Sequence, residues 1–170
     1  MQDEGHIAKL ARHIIHLRGP WECRPLTRTI RLPDGSLRET TEALPPPGRL
    51  RIPTDWGRML GADFRGRVLL TRRFGRPTGL ASGDRVDLVL ELVEACGVAT
   101  LNDTPLGPIL SGHECTRFDI TARLQRRNEL AVVVELPLDA PQRPLPSRLG
   151  REGLPGGLLG EVRLEILAAS

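Results

Sequence analysis

No tyrosine occurs in these 170 residues, and aromatic residues make up only 3% of them. Lysine is almost as scarce: Lys9 stands alone, so 23 of the 24 basic residues are arginine. Three cysteines are present, Cys23, Cys96 and Cys115, and no CxxC pair. Each scarcity excludes something. An odd, small number of cysteines builds no disulfide framework, and without paired cysteines no zinc site is expected. So few aromatics leave little to interleave with unpaired bases, and no nucleic acid is expected as a partner. The formal charge of +3 (24 basic against 21 acidic residues) is too small for a dedicated basic face. No run approaches the ~18 apolar residues of a membrane span, so no membrane is expected either. The first residues lack the charged-then-apolar order of a secretory signal. Together with free thiols, that makes the cytoplasm the expected location.

Glycine and proline are plentiful instead, 18 and 15 residues, and demand many turns. The length suits about one domain, here read as residues 1–170. The arginine excess has two readings: codon bias of a GC-rich coding sequence, which favours Arg, Gly, Pro, Ala and Leu together, or a set of anion or sugar contacts.

Along the chain, period-two patterns dominate. Val86, Leu88 and Leu90 alternate with Asp87, Val89 and Glu91, and Val162, Leu164 and Ile166 with Arg163 and Glu165. Val132, Val133 and Val134 suit a buried strand within 130–136. Residues 21–31, 65–74, 98–102 and 116–120 also read as extended, and Leu50 with Ile52 as a short strand. Residues 7–17 carry a helical stripe that strand pairing competes with, and a short helix followed by a strand is expected there. Thr54 or Asp55 is placed to cap a helical turn through Leu60. Residues 137–157 form a long Pro/Gly-rich loop, a candidate docking segment. Eight to ten short strands with almost no helix close their apolar faces as a β-sandwich or jelly roll.

The order of short motifs then carries a resemblance. Ile52-Pro53-Thr54-Asp55-Trp56 is followed by Asp63-Phe64-Arg65-Gly66-Arg67-Val68 and Thr71-Arg72-Arg73-Phe74. Val98-Ala99-Thr100-Leu101-Asn102-Asp103, Phe118-Asp119-Ile120-Thr121, Asn128-Glu129-Leu130 and Gly156-Gly157 come after them in order. Over residues 50–167 this series resembles the N-terminal sugar-binding domain of glycoside hydrolase family 2 enzymes. The resemblance implies an all-β jelly-roll β-sandwich of the galactose-binding-domain-like type. Asp103 departs from the family's glycine after the turn asparagine, and the family's tyrosine near Val68 and Leu70 is missing.

Several motif residues have structural roles to fill. Asn102 tolerates the left-handed backbone of a tight hairpin. Asp119 and Asn128 can bond backbone amides beside them, and Phe74 and Phe118 are expected in the core.

Catalysis is not expected. The related enzymes cleave with two carboxylates on a separate barrel, which takes about 250 residues. Glu91 with Glu94, or Glu114 with Asp119, are the imaginable pairs, and both have better uses in strands and turns. Ser111-Gly112-His113-Glu114-Cys115 clusters nucleophile and base types without a nucleophile elbow and reads as a polar loop. His6, His13 and His16 have no carboxylate among them, and no dense Asp/Asn run supplies calcium ligands, so no metal or other cofactor is expected.

The function that the resemblance implies is a stand-alone, non-catalytic carbohydrate-binding module. Its candidate ligand residues are Trp56 to stack a sugar ring (or else to plug the sandwich), with Asp63, Arg65, His113 and Glu114 to bond hydroxyls. The alternative is a structural or interaction module that keeps the fold without sugar, with a protein partner or a homodimer.

Overall fold

A computed structural model describes residues 11–91, 93–94, 96–109, 115–136 and 155–169. Its strands are β1 (Ala11–His16), β2 (Trp21–Arg31), β3 (Leu37–Thr40), β4 (Gly48–Leu50), β5 (Gly66–Gly75), β6 (Arg85–Leu90), β7 (Val93–Glu94), β8 (Cys96–Leu101), β9 (Thr104–Ile109), β10 (Thr116–Asp119), β11 (Arg127–Leu136), β12 (Gly157–Leu158) and β13 (Val162–Leu167). One helical turn, α1 (Gly57–Leu60), and a 3-10 turn at Thr121–Arg123 interrupt them. A smaller sheet runs β1-β13-β6-β10, and a larger one β3-β2-β5-β11-β8-β9, with β4 also paired to β2. β12 pairs β7. The chain is an all-β sandwich.

The alternation read from the sequence is what closes it. Val86, Leu88, Leu90, Val162, Leu164 and Ile166 turn inward from the smaller sheet, each at most 2% exposed. Val68, Leu70, Leu130, Val132 and Val134 answer them from the larger sheet, equally buried. Burial at this level stabilises by about 1.5–3 kcal/mol per side chain of this kind. Phe74 and Phe118 are partly buried against that core.

Residues 11–16 are the strand expected after a short helix, paired on one side with β13; residues 7–10, where the helix was expected to begin, lie outside the described residues. Some expectations need correction. β4 ends at Leu50, so Ile52 is buried outside any strand. The expected loop closes earlier than position 157, since Gly157 and Leu158 already pair with β7; residues 137–154 lie outside the described residues, as do residues 111–114 of the Ser111–Cys115 cluster.

Local chemistry sets the turns. Asp55 accepts the Gly57 amide at 2.8 Å at the start of α1. Asn102 (φ 50°) and Asp103 (φ 62°) make the β8–β9 turn with two successive left-handed residues, the geometry of a tight two-residue hairpin. Asn102 Nδ2 donates to Asn128 Oδ1 at 3.0 Å, and Asn128, 2% exposed, exchanges two 2.9 Å bonds with the Gln125 backbone. Asp119 accepts from the Thr121 amide and hydroxyl at 3.0 and 2.6 Å. Gly66 has φ +148° opposite a bulge in β2, where a Cβ would stand 2.2 Å from the Thr27 carbonyl oxygen.

Candidate functional site

Of the five residues expected to bind sugar, three lie among the described residues, and Trp56 is in the core while Asp63 and Arg65 are on the turn before β5. Trp56 is 1% exposed, and its ring meets Phe64 edge-on at 5.8 Å and 89°. Its amide donates to Gly156 O at 3.0 Å and its carbonyl accepts from Leu60, so the backbone aims the indole inward. No sugar ring can stack on a face that is already covered; the plug reading is the correct one. Asp63 is exposed on the turn between α1 and β5. Arg65 folds back on the same turn, its Nη1 donating to Phe64 O at 2.8 Å and Ala62 O at 3.2 Å. His113 and Glu114 lie outside the described residues.

Two charged surfaces stand elsewhere. The outer face of the smaller sheet carries an ion lattice. Asp87, 1% exposed, accepts from Arg85 Nε at 2.6 Å and Arg117 Nη1 at 3.1 Å. Arg117 also donates to Glu165, which accepts from Arg163 Nε at 2.8 Å; Arg163 continues to Glu91 and, at 4.0 Å, Glu161. Burial pushes the Glu165 carboxyl up, but the bonds from Arg117 and Arg163 prevail and hold it below the ordinary glutamate value. Each charge in this lattice has an opposite charge within it.

The outer face of the larger sheet is different. A groove of about 490 Å³ lies over β2, β4 and β5, lined by Glu22, Arg24, Arg49, Thr71, Arg73 and Glu129 among others. Alternation puts Trp21 and Cys23 into the core and Glu22 and Arg24 outward, and the register sets Glu22 beside both Arg49 and Thr71. Arg73 donates to Glu129 at 2.8 Å. That bond and the charges of Glu129 and Glu22 hold the Arg73 guanidinium yet more firmly protonated. The Arg24 and Arg49 side chains are exposed and bond to no described residue, so their donors are free. Cys23 below the groove is no nucleophile, because burial pushes its thiol up to about 12. Groups of this kind can bind hydroxyls and carboxylates by charge-assisted hydrogen bonds. Reasoning from the sequence missed them, since only the period-two pattern of residues 21–25 hinted that Glu22 and Arg24 share a face. Among the described residues no group of three or more His, Cys, Asp or Glu could hold a metal ion, and no helix is long and apolar enough to cross a membrane.

No family model matches this sequence, and no curated protein does. Solved structures do. An FMN-binding β-glucuronidase from Faecalibacterium prausnitzii L2-6 superposes with a TM-score of 0.66 at 23% identity, covering 94% of this chain and 23% of that one. The fold is one that occurs within glycosidases. A Bifidobacterium dentium β-glucuronidase complexed with coumarin-3-O-glucuronide gives 0.65 at 20% identity, over 92% and 30% of the two chains. A putative β-galactosidase from Bacteroides fragilis gives 0.64 at 21%, over 92% and 23%. The chain thus spans less than a third of each of these glycosidases, and the order of motifs has its counterpart in a shared glycosidase-domain fold.

Proposed function

We propose that residues 1–170 act as one non-catalytic carbohydrate-binding unit, with the sugar held in the β2–β4–β5 groove rather than at Trp56. The observation that carries this reading is the convergence of the unbonded guanidinium groups of Arg24 and Arg49 with Glu22 and Thr71 in one groove. The glycosidase-domain fold supports it. Arg24 and Arg49 would bond hydroxyls or a sugar carboxylate in a planar fork, with Thr71 and Glu22 as partners for neighbouring hydroxyls. Acidic sugars are favoured over neutral ones by the two free guanidinium groups. A thermal-shift panel of neutral sugars, uronic acids and short oligosaccharides tests it. At about 20 mM, a ligand with a dissociation constant near 1 mM adds about 1.8 kcal/mol, a rise of about 4–7 °C for a domain of this size. Arg24→Ala and Arg49→Ala should abolish the rise without lowering the melting temperature of the free protein. A flat panel would defeat the reading.

The second reading, an interaction module, is favoured by a separate observation. Val98 is 48% exposed, and it pairs with Val133 and Pro108 on the outer face of the larger sheet.

A further inference from the structure

The strand registers arrange that outer face in transverse rows. One row crosses Arg24, Leu69, Val133, Val98 and Pro108, and the next Glu22, Thr71, Ala131 and Thr100. From β5 to β9 these rows form a band of apolar and small side chains, with Arg24 and Glu22 at its β2 side and charge at both ends: Arg73 opposite Glu129 above it, Arg67 opposite Glu135 below it. In both border rows β5 supplies the arginine and β11 the glutamate.

That pattern is self-complementary. We propose that this face pairs with the same face of a second copy of the chain, about a two-fold axis parallel to the strands and midway between β5 and β11. Such an axis exchanges β5 and β11 and keeps the height along the strands. Arg73 then stands over the partner's Glu129 and Arg67 over the partner's Glu135, while Leu69 meets the partner's Val133. An axis across the strands would instead set Arg73 over the partner's Arg67 and Glu129 over the partner's Glu135, like against like. Between β5 and β11 charge therefore favours the first geometry, which lays Arg24 and Glu22 of β2 over the partner's Val98 and Thr100 and so keeps the affinity low. Two sheets stack face to face in this aligned manner at about 10 Å separation. Five inter-strand steps of about 4.8 Å and a strand length of about 20 Å give roughly 500 Å² of plane per copy. That lies at the small end for a specific interface and implies a weak, reversible dimer. The same operation lays the partner's β8–β9 hairpin over the Glu22–Arg49 groove, so a ligand there and the second copy exclude one another. Dimer formation needs no sugar, and its test is separate from the sugar panel.

Sedimentation velocity between about 5 and 500 µM brackets a micromolar dissociation constant. The wild type should shift from monomer to dimer across that range. Glu129→Arg with Glu135→Arg should abolish the dimer, and so should Arg67→Glu with Arg73→Glu. An equimolar mixture of the two double variants, or all four changes in one chain, should restore it. The Arg73–Glu129 pair is 77% and 46% exposed, so these variants should fold, as circular dichroism would verify. Val98→Arg gives an independent disruption away from the ion pairs. A wild type that stays monomeric throughout overturns the proposal. So does a dimer that survives both double variants and Val98→Arg, or a folded fourfold variant that remains monomeric.

Discussion

Replacing Glu165 by glutamine removes one charge from the centre of the smaller sheet's ion lattice while keeping its shape. The carboxylate bridges Arg117 and Arg163, and the Glu165 side chain is only 10% exposed. A hydrogen bond to a charged group contributes about 1.5–3 kcal/mol, so two would lose about 3–6 kcal/mol if nothing compensated. Three features reduce that. The glutamine carbonyl keeps one acceptor, Arg117 retains Asp87, and Arg163 retains Glu91. A loss of about 2 kcal/mol remains, lowering the melting temperature by about 4–8 °C in a chain of this length. The pH dependence gives a second, independent reading. The folded-state pKa of Glu165 lies below its ordinary value despite burial, because Arg117 and Arg163 favour the ionised form. Its contribution is therefore complete above the unfolded glutamate pKa of about 4.3 and is lost as pH falls through the lower folded value. The gap between wild type and Glu165→Gln should be widest at neutral pH and close on acidification below the ordinary carboxylate range. Thermal melts of both proteins across a pH series measure it. Equal melting temperatures at pH 7, or a gap that acid leaves unchanged, would refute the argument that Glu165 is held by its two arginines.

Asp103→Gly should stabilise by about 0.5–1 kcal/mol in urea unfolding, because glycine adopts the left-handed φ of 62° without the cost a Cβ imposes. Gly66→Ala should destabilise by about 3 kcal/mol or more, since the new methyl would collide with the Thr27 backbone at 2.2 Å; a variant that unfolds at the wild-type denaturant midpoint would contradict this. Asn128→Ala, which strands the Gln125 amide and the Asn102 side chain, should cost about 2–3 kcal/mol in the same assay. With a thiol-alkylating reagent on the native protein, peptide mapping should find Cys115 modified well before Cys23, whose thiol is buried and neutral.

The strands that close the sandwich were legible because each alternates on its own: β6 and β13 display their inner faces without knowledge of their neighbours. β1 was legible only as one of two readings, because Ile7, Leu10, Ala11, Ile14 and Leu17 satisfy a helical stripe as well, and pairing with β13 decides for the strand. Asp87 looked like a solvent-facing residue and is buried, since Arg85 and Arg117 reach over it from its own strand and from β10. Trp56 belonged to a recognisable motif, but whether its indole turns in or out depends on Phe64 and Gly156, which approach from other parts of the chain. The groove was least visible. Arg73 and Glu129 are separated by 56 residues, and nothing local announces that a register will set them side by side.

The outermost strand of the larger sheet, β9, carries Pro105 and Pro108, and the opposite margin is the four-residue β3 with exposed Arg38 and Glu39. Prolines withhold backbone donors from an incoming strand, and short charged strands make poor templates. Edge-to-edge growth, the route to open-ended ribbons and fibres, is obstructed at both margins, while the broad face remains open. Crowding should then favour contacts through that broad face over edge-to-edge extension of the larger sheet.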